Sequence, residues 1–271
     1  EINRQGITGM KSIFKVPDIS FRAYRVWQRN RDSYKRFYKA NLIGSLGEPV
    51  MFLFGMGLGI GGYLASMEGV SYIQFIASGI IMVTAMYSAT FECTFGSYTR
   101  MMGQKTYDGI LATPLTVGDI VMGDILWGAT KSLISGGIML AIIIMAGLMK
   151  GPVIFIIPIL MLIFLVGLMF ASMAMIATAL SPSYEFFSYY FTLTLTPMFF
   201  FSGVFFPLEK FPLIIKGISY LLPLTYAVNI SRSLVTENFS YIALSGFPLL
   251  LALTIILVIV AVNMIEKRVV K

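Results

Sequence analysis

No histidine occurs among the 271 residues, and Cys93 is the single cysteine. The first absence removes imidazole acid–base catalysis, imidazole proton relays and most transition-metal sites. The second excludes an internal disulfide and says little about redox compartment. Charge is scarce too: Asp, Glu, Lys and Arg make up 12% of the chain, roughly half the share of a soluble domain. The pattern GxxxxGK[ST] does not occur, so nucleotide is not expected to bind here through a P-loop. Alternating stretches of the kind that mark transmembrane β-strands are missing as well. What remains is apolar, with 57% hydrophobic residues and a mean hydropathy of +0.83. Such a chain cannot cover its surface with polar groups, so its solvent must be lipid. A helix needs about 20 apolar residues to cross a bilayer, and several windows reach that length. The sequence predicts an all-α polytopic membrane protein.

Six spans are expected, at about 42–65, 72–97, 120–148, 152–180, 185–206 and 242–265. They form one domain over 41–271, preceded by a polar, basic segment over 1–40 that does not read as a cleavable signal peptide. Residues 205–222, FFPLEKFPLIIKGISYLL, are apolar but broken by Pro207 and Pro212 around Glu209 and Lys210. They are expected to form re-entrant or interfacial half-helices. Basic residues set the orientation. With the N-terminus inside, the cytoplasmic side holds the basic residues from Arg4 to Lys39, then Arg100, Lys105, Lys267, Arg268 and Lys271. The outer side receives only Lys150, Lys210, Lys216 and Arg232. A seventh crossing would expel the basic C-terminus, so both ends are expected in the cytoplasm.

Before the first span, DISFRAYRVWQRNRDSYKRFYK (18–39) carries Phe21, Tyr24, Trp27, Tyr34 and Phe37 at near-helical spacing, with Arg25 and Arg29 among its cations. A basic amphipathic helix of this kind lies in the membrane interface, either as an orientation anchor or as a gate at the cytoplasmic mouth. Fusion to a span argues against nucleic acid as its partner. Glu48, Glu92, Asp124 and Lys131 fall within or near apolar windows, where ionisable groups face a partner or a wet cavity. Asp124 and Lys131 are two helical turns apart, about 10 Å along the axis, too far to pair without other groups between them. Glu92 can be read as a pathway residue or as a helix–helix contact, and Glu48-Pro49 as the mark of a kink.

Aromatic residues gather at both ends of the fifth window, as YEFFSYYF (184–191, including Tyr184, Phe187, Tyr190 and Phe191) and PMFFFSGVFF (197–206, including Phe199, Phe205 and Phe206). They suit interfacial belts or a wall along which an amphipathic or sugar-bearing molecule slides. Ser181-Pro182 reads as the cap and first turn of that span. In the first span GMGLGIGG (55–62) has small-xxx-small spacing, which favours close packing of helices, including those of two copies of the chain.

Between spans 2 and 3 lies QKTYDGILATPLTVGDI (104–120), polar yet with its own apolar groups. Thr106 is expected to cap a short helix, which Thr113-Pro114 must end. Thr116 and Asp119 then form a capping-box-like start for span 3. A helix this short is not stable alone in water, so it must pack on its own bundle or on another protein.

The run CTFGSYTRMMGQKTYDGILATPLTVGDIVMGDILWGATKSLI (93–134) resembles the membrane subunit of ABC exporters of the ABC-2 class. It is most similar to nodulation lipo-chitooligosaccharide export permeases, with daunorubicin-type drug exporters close by. FFFSGVFFPLEKFPLIIKGISYLLPLTYAVNISRSLV (199–235) resembles the late signature of the same class. The resemblance implies a subunit of the inner membrane that dimerises and docks two copies of a separate ATPase, which would hold the ATP and Mg; no cofactor is expected in this chain. It also implies that residues 104–113 are a coupling helix seated in that ATPase, the contact comprising Gln104, Lys105, Thr106, Tyr107, Asp108, Ile110, Leu111 and Thr113. Phe205, Phe206, Pro207 and Pro212 would belong to an outer gate. The pathway would run between the copies along spans 1, 2 and 5, past Glu92, Tyr184, Phe187, Tyr190, Phe191 and Phe199. The cargo would be amphipathic, carrying lipid or sugar. A drug exporter is the nearest alternative, and an ATP-independent channel or carrier a further one.

Overall fold

The computed structural model describes residues 17–64, 66–236 and 241–270, and the first sixteen residues of the expected N-terminal segment lie outside them. Helix α1 (Ala23–Lys35) precedes α2 (Tyr38–Gly59), and α3 runs from Tyr72 through two π-helical stretches, Glu92–Gly96 and Thr99–Gly103. A short α4 (Thr106–Leu111) leads into α5 (Val117–Met145), and α6 (Ile156–Leu180) follows. Helix α7, residues 185–201, joins Glu185–Tyr190, a π-helical Phe191–Leu195 and Thr196–Phe201. Then come α8 (Leu213–Leu221), α9 (Pro223–Val235), α10 (Tyr241–Leu244) and α11 (Gly246–Val269).

Among the described residues five helical stretches are long and apolar enough to cross a bilayer: Asn41–Gly59, Tyr72–Gly103, Val117–Met145, Val153–Leu180 and Gly246–Val269. The all-α polytopic class expected from the sequence is therefore found. Four of the five differ from the expected windows. The first starts where expected but stops at Gly59, because the glycine-rich continuation turns instead of extending the helix. The second runs six residues past 97, because its polar end finds partners inside the protein. The third and last are displaced by a few residues, to Val117–Met145 and Gly246–Val269.

The expected fifth span, 185–206, is corrected to residues 185–201. At 1.5 Å per residue that is about 25 Å, short of the roughly 30 Å hydrocarbon core. It ends in a buried turn over Ser202, Gly203, Val204 and Phe205, where Gly203 takes a φ of +75°. The chain then makes the two expected half-helices, with α8 and α9 bent by 89°. Ser181 does not cap α7. Its hydroxyl donates to the Ser183 carbonyl at 2.6 Å, and the helix begins only at Glu185.

Helix α3 is the central post: 89% of its apolar window is buried, against 17% for the first span. Span 1 touches the bundle through Pro49, Leu53 and Gly57 on one face. Gly57 lies against Ile73, while Gly55 and Gly59 face open space. At one end of the bundle the amides of Lys150 and Gly151 donate to the Val235 carbonyl, both at 3.0 Å. At the other, Arg268 donates to the carbonyls of Thr178 and Ala179, and Tyr98 to that of Pro182. Helices α1 and α4 and the C-terminal end of α11 thus share one end, as the charge distribution requires.

Candidate functional site

Helix α4 is built differently from the expected plan. Its N-cap is Lys105, held in the left-handed region at φ 49°, and Thr106 is its first helical residue. Tyr107, expected at the centre of an outward contact, points inward instead. It is 1% exposed, and its hydroxyl donates to the Asp124 carboxylate at 2.7 Å. Burial, reinforced by that carboxylate, pushes the phenol well above its ordinary pKa, so it stays a hydrogen-bond donor. The outward face is left to Asp108, Gly109, Ala112 and Thr113, with Gln104 and Lys105 exposed just before the helix. Thr106, Ile110 and Leu111 are half-buried. The expected capping box is present: Thr116 Oγ1 accepts from the Asp119 amide at 3.1 Å, and Asp119 Oδ2 accepts from the Thr116 amide at 3.2 Å.

Asp124 is fully buried and accepts from four groups on three elements. Asn30 of α1 donates at 2.6 Å, Ser97 at 2.8 Å, Tyr107 at 2.7 Å, and Arg100 forms an ion pair at 3.2 Å. Arg100 also binds Glu92 at 2.7 Å, and Glu92 binds Lys131 at 3.0 Å. The groups needed between Asp124 and Lys131 are therefore Arg100 and Glu92, giving an alternating chain. Two α-turns hold about 7.2 residues, and a π-turn admits one more. The eight steps from Glu92 to Arg100 then close near two full turns, and both charges share a face. Gly96 lies beneath the pair: a Cβ there would sit 2.9 Å from Glu92 Oε1 and 3.3 Å from Arg100 Nη1.

The N-terminal helix is strapped to this assembly rather than lying free on a surface. Ser20 donates to Asp119 through its amide (2.6 Å) and hydroxyl (2.9 Å), Thr116 donates to the Asp18 carbonyl at 2.9 Å, and Arg22 to that of Pro114. The buried side of α1 is Ala23, Val26 and Asn30. It packs on α5 at Gly123, where a Cβ would come within 2.5 Å of Val26 Cβ. The expected aromatic stripe is divided. Trp27 donates to Thr130 at 2.9 Å and meets Trp127 edge-on, as does Tyr34, whereas Phe21, Tyr24 and Phe37 are exposed. Arg25 donates to Gln28 at 3.2 Å. Sequence reading missed this docking, although the small residues Gly118 and Gly123 on α5 were an available signal.

The aromatic residues of the fifth window form neither of two separate belts. They stack with α3 into one column: Tyr184 on Tyr98, Phe187 on Tyr98 and Phe95, Phe191 on Phe95, Phe91 and Tyr87, and Phe199 on Tyr87. Phe199 also meets Phe52 and Phe205, which continues the column to the turn after α7. Phe206 and Pro212 are exposed and Pro207 buried. Tyr190 packs on Phe191, and its buried hydroxyl has no partner among the described residues.

Beside the column, between α2, α3 and the end of α7, lies a cavity of about 410 Å³. One wall is Phe52, Tyr87, Phe91 and Phe199; Asn41, Ser45, Glu48, Ser88 and Lys131 supply its polar lining. Ser45 and Ser88 both meet Ser135, at 3.1 and 3.2 Å. Such a space offers ring faces and aliphatic carbon to an apolar tail, and hydroxyl and amide groups to a polar head. Glu92 is not among its lining residues, and Lys131 links it to the charge chain.

Residues 23–236 match the family described as ABC-2 type transporter. The chain is 42% identical to Nodulation protein J of Sinorhizobium fredii over 208 residues, covering 76% of this chain and 78% of that protein. It is 39% identical to Nodulation protein J of Bradyrhizobium diazoefficiens over 226 residues, 82% of this chain and 84% of the relative. Inner membrane transport permease YadH of Escherichia coli is 21% identical over 243 residues, 87% and 88% of the two chains.

Proposed function

From the premise that this chain belongs to the ABC-2 type transporter family and is a multi-pass membrane permease, we propose that it is the membrane subunit of an ATP-driven exporter in the inner membrane. Two copies form the path, and two copies of a separate ATPase drive it. Both ends of the chain are cytoplasmic, and ATP and Mg are held by the partner, since this sequence has no P-loop. The cargo is an amphipathic molecule joining lipid to oligosaccharide, the class for which the resemblance to nodulation permeases speaks. The observation that carries this reading is the 410 Å³ cavity. Its aromatic wall, continued by the Tyr98–Phe199 column, accepts acyl chains and the C–H faces of sugars, and its polar lining accepts hydroxyls.

The ATPase contact is the outward side of α4, with Gln104, Lys105, Asp108 and Thr113 outermost and Thr106, Ile110 and Leu111 at its edge. Tyr107 serves it from behind. The outer gate is the turn from Phe205 through Pro207 to Pro212. The test is reconstitution with the ATPase in liposomes. A lipo-oligosaccharide should stimulate hydrolysis and be exported, and a lipid-free planar drug should do neither. Asp108→Arg and Gly109→Arg, both on open surface, should release the ATPase without unfolding the permease. Full transport by those variants, or stimulation by the drug alone, would overturn the reading.

A further inference from the structure

A second cavity, of about 440 Å³, opens between α1, the π-helical end of α3 and Gln104 in the link to α4. Arg29 and Arg100 both line it, with Asn30, Ser33, Asn41, Thr99 and Gln104 as further polar groups, and the Glu92 carboxylate, already held by Arg100 and Lys131, is part of its wall. Among the described residues, three cations, Arg29, Arg100 and Lys131, meet two carboxylates here, Glu92 and Asp124. Glu92 is engaged by Arg100 and Lys131, and Asp124 by Arg100, Asn30, Ser97 and Tyr107. Arg29 forms no ion pair among the described residues. Two buried guanidinium nitrogens, Arg29 Nη1 and Arg100 Nε, likewise have no hydrogen-bond partner among them. Buried donors without acceptors are costly, and one uncompensated positive charge remains. Burial, then the charge of Arg100, hold the Arg29 pKa below its ordinary value, as expected of a cation short of a counter-ion.

We propose that this cavity is a binding site for a singly charged phosphate group, held between Arg29 and Arg100. One phosphodiester charge would balance the excess. Its oxygens would accept from the unpartnered nitrogens, since the planar guanidinium fork matches phosphate geometry. The source is the head group of an anionic phospholipid rather than free phosphate. Exposed Phe21 and Tyr24 at the start of α1, and Phe37 and Tyr38 at its junction with α2, suit a position of α1 at the level of the head groups, where aromatic side chains reside. The site is distinct from the 410 Å³ cavity and does not depend on the identity of the cargo.

The test is lipid retention by the purified full-length protein, measured by native mass spectrometry with phosphatidylglycerol and phosphatidylcholine offered in equal amounts. The wild type should retain phosphatidylglycerol about tenfold more strongly, the effect of one charge-assisted contact. Arg29→Gln should reduce that preference to parity. Ser33 is exposed one turn from Arg29, so Ser33→Asp supplies an internal carboxylate to Arg29 and should do the same. An unchanged melting temperature of the Ser33→Asp protein separates ligand loss from unfolding. Equal retention of the two lipids by the wild type, or an undiminished preference in Ser33→Asp, overturns the site. Displacement of phosphatidylglycerol by equimolar inorganic phosphate overturns its assignment to lipid.

Discussion

Replacing Tyr107 by Phe removes one atom from the junction and leaves the ring packing in place. The lost oxygen is one of four donors on Asp124, and the other three lie at 2.6, 2.8 and 3.2 Å. A hydrogen bond to a charged group contributes about 1.5–3 kcal/mol net. Because Asp124 keeps three partners, the lower end applies, about 1.5–2 kcal/mol. In a domain of this size each kcal/mol shifts the melting temperature by about 2–4 °C, so the expected drop is about 3–8 °C. The two tryptophans report on the junction directly, since Trp27 and Trp127 meet at 6.4 Å across the α1–α5 contact. Thermal unfolding followed by tryptophan fluorescence is therefore the assay, with Asp108→Asn, on the outward side of the same helix, as the control expected to stay within about 0.5 kcal/mol. In the reconstituted complex the ATPase should still bind Tyr107→Phe, while transport per ATP falls. An unchanged melting temperature together with loss of ATPase binding would show that Tyr107 faces the partner, and the inward anchor would be refuted.

Three further outcomes follow from the same geometry. Gly123→Val should lift α1 from α5, since its Cβ alone would lie 2.5 Å from Val26 Cβ; overpacking of this kind costs about 1–3 kcal/mol, and limited proteolysis within 20–37 should accelerate. Gly96→Ala should wedge apart the Glu92–Arg100 pair, whose atoms lie 2.9 and 3.3 Å from the new carbon, and it should destabilise more than the same change at Gly109, where nothing lies within 4 Å. Lys131→Met leaves the buried Glu92 with Arg100 alone; breaking a buried pair costs up to about 3–5 kcal/mol, and adding Glu92→Gln should recover part of the loss in a melting-temperature comparison of the single and double variants.

The sequence made several parts of this arrangement legible because their signals are local. Thr116 and Asp119 capped a helix as their spacing required, and the two-turn separation of Asp124 and Lys131 already demanded intervening groups. The long apolar windows identified the class without ambiguity. Four features were hidden for different reasons. Thr99 and Arg100 fell beyond the expected end of span 2 at 97, because a polar residue is expensive in a span until its partner is known, and those partners are Asp124 on α5 and Tyr184 just before α7. In a six-residue helix, periodicity cannot say which side is inward, so Tyr107 was indistinguishable from an exposed anchor. The left-handed Lys105 carries no residue signature, since that backbone region ordinarily favours glycine. The division of the α1 stripe was also unreadable: spacing alone placed Phe21 and Trp27 together, and only the glycines of α5 decide which of them docks.

Four charges in apolar helices would ordinarily weigh against folding, and their order explains why they do not. Antiparallel α3 and α5 set Arg100 opposite Asp124 and Glu92 opposite Lys131, so each carboxylate lies between two cationic or hydrogen-bonding partners. Helix α3 can present both of its charges on one side only because the π-turns add the residue that two α-turns lack. A regular helix over 92–103 would rotate one charge towards lipid. The same irregularity leaves room above Gly96, where Arg100 reaches back to Glu92. The charges therefore require the π-turns, and the π-turns are stabilised by the charges. Tyr107 stands at one end of this chain, on the short helix that faces outward. Lys131 stands at the other, in the wall of the 410 Å³ cavity. A displacement of α4 must either carry Asp124 with it or break a buried hydrogen bond to a carboxylate, so the loop that sequence alone marked as over-built is tied through five side chains to the cavity.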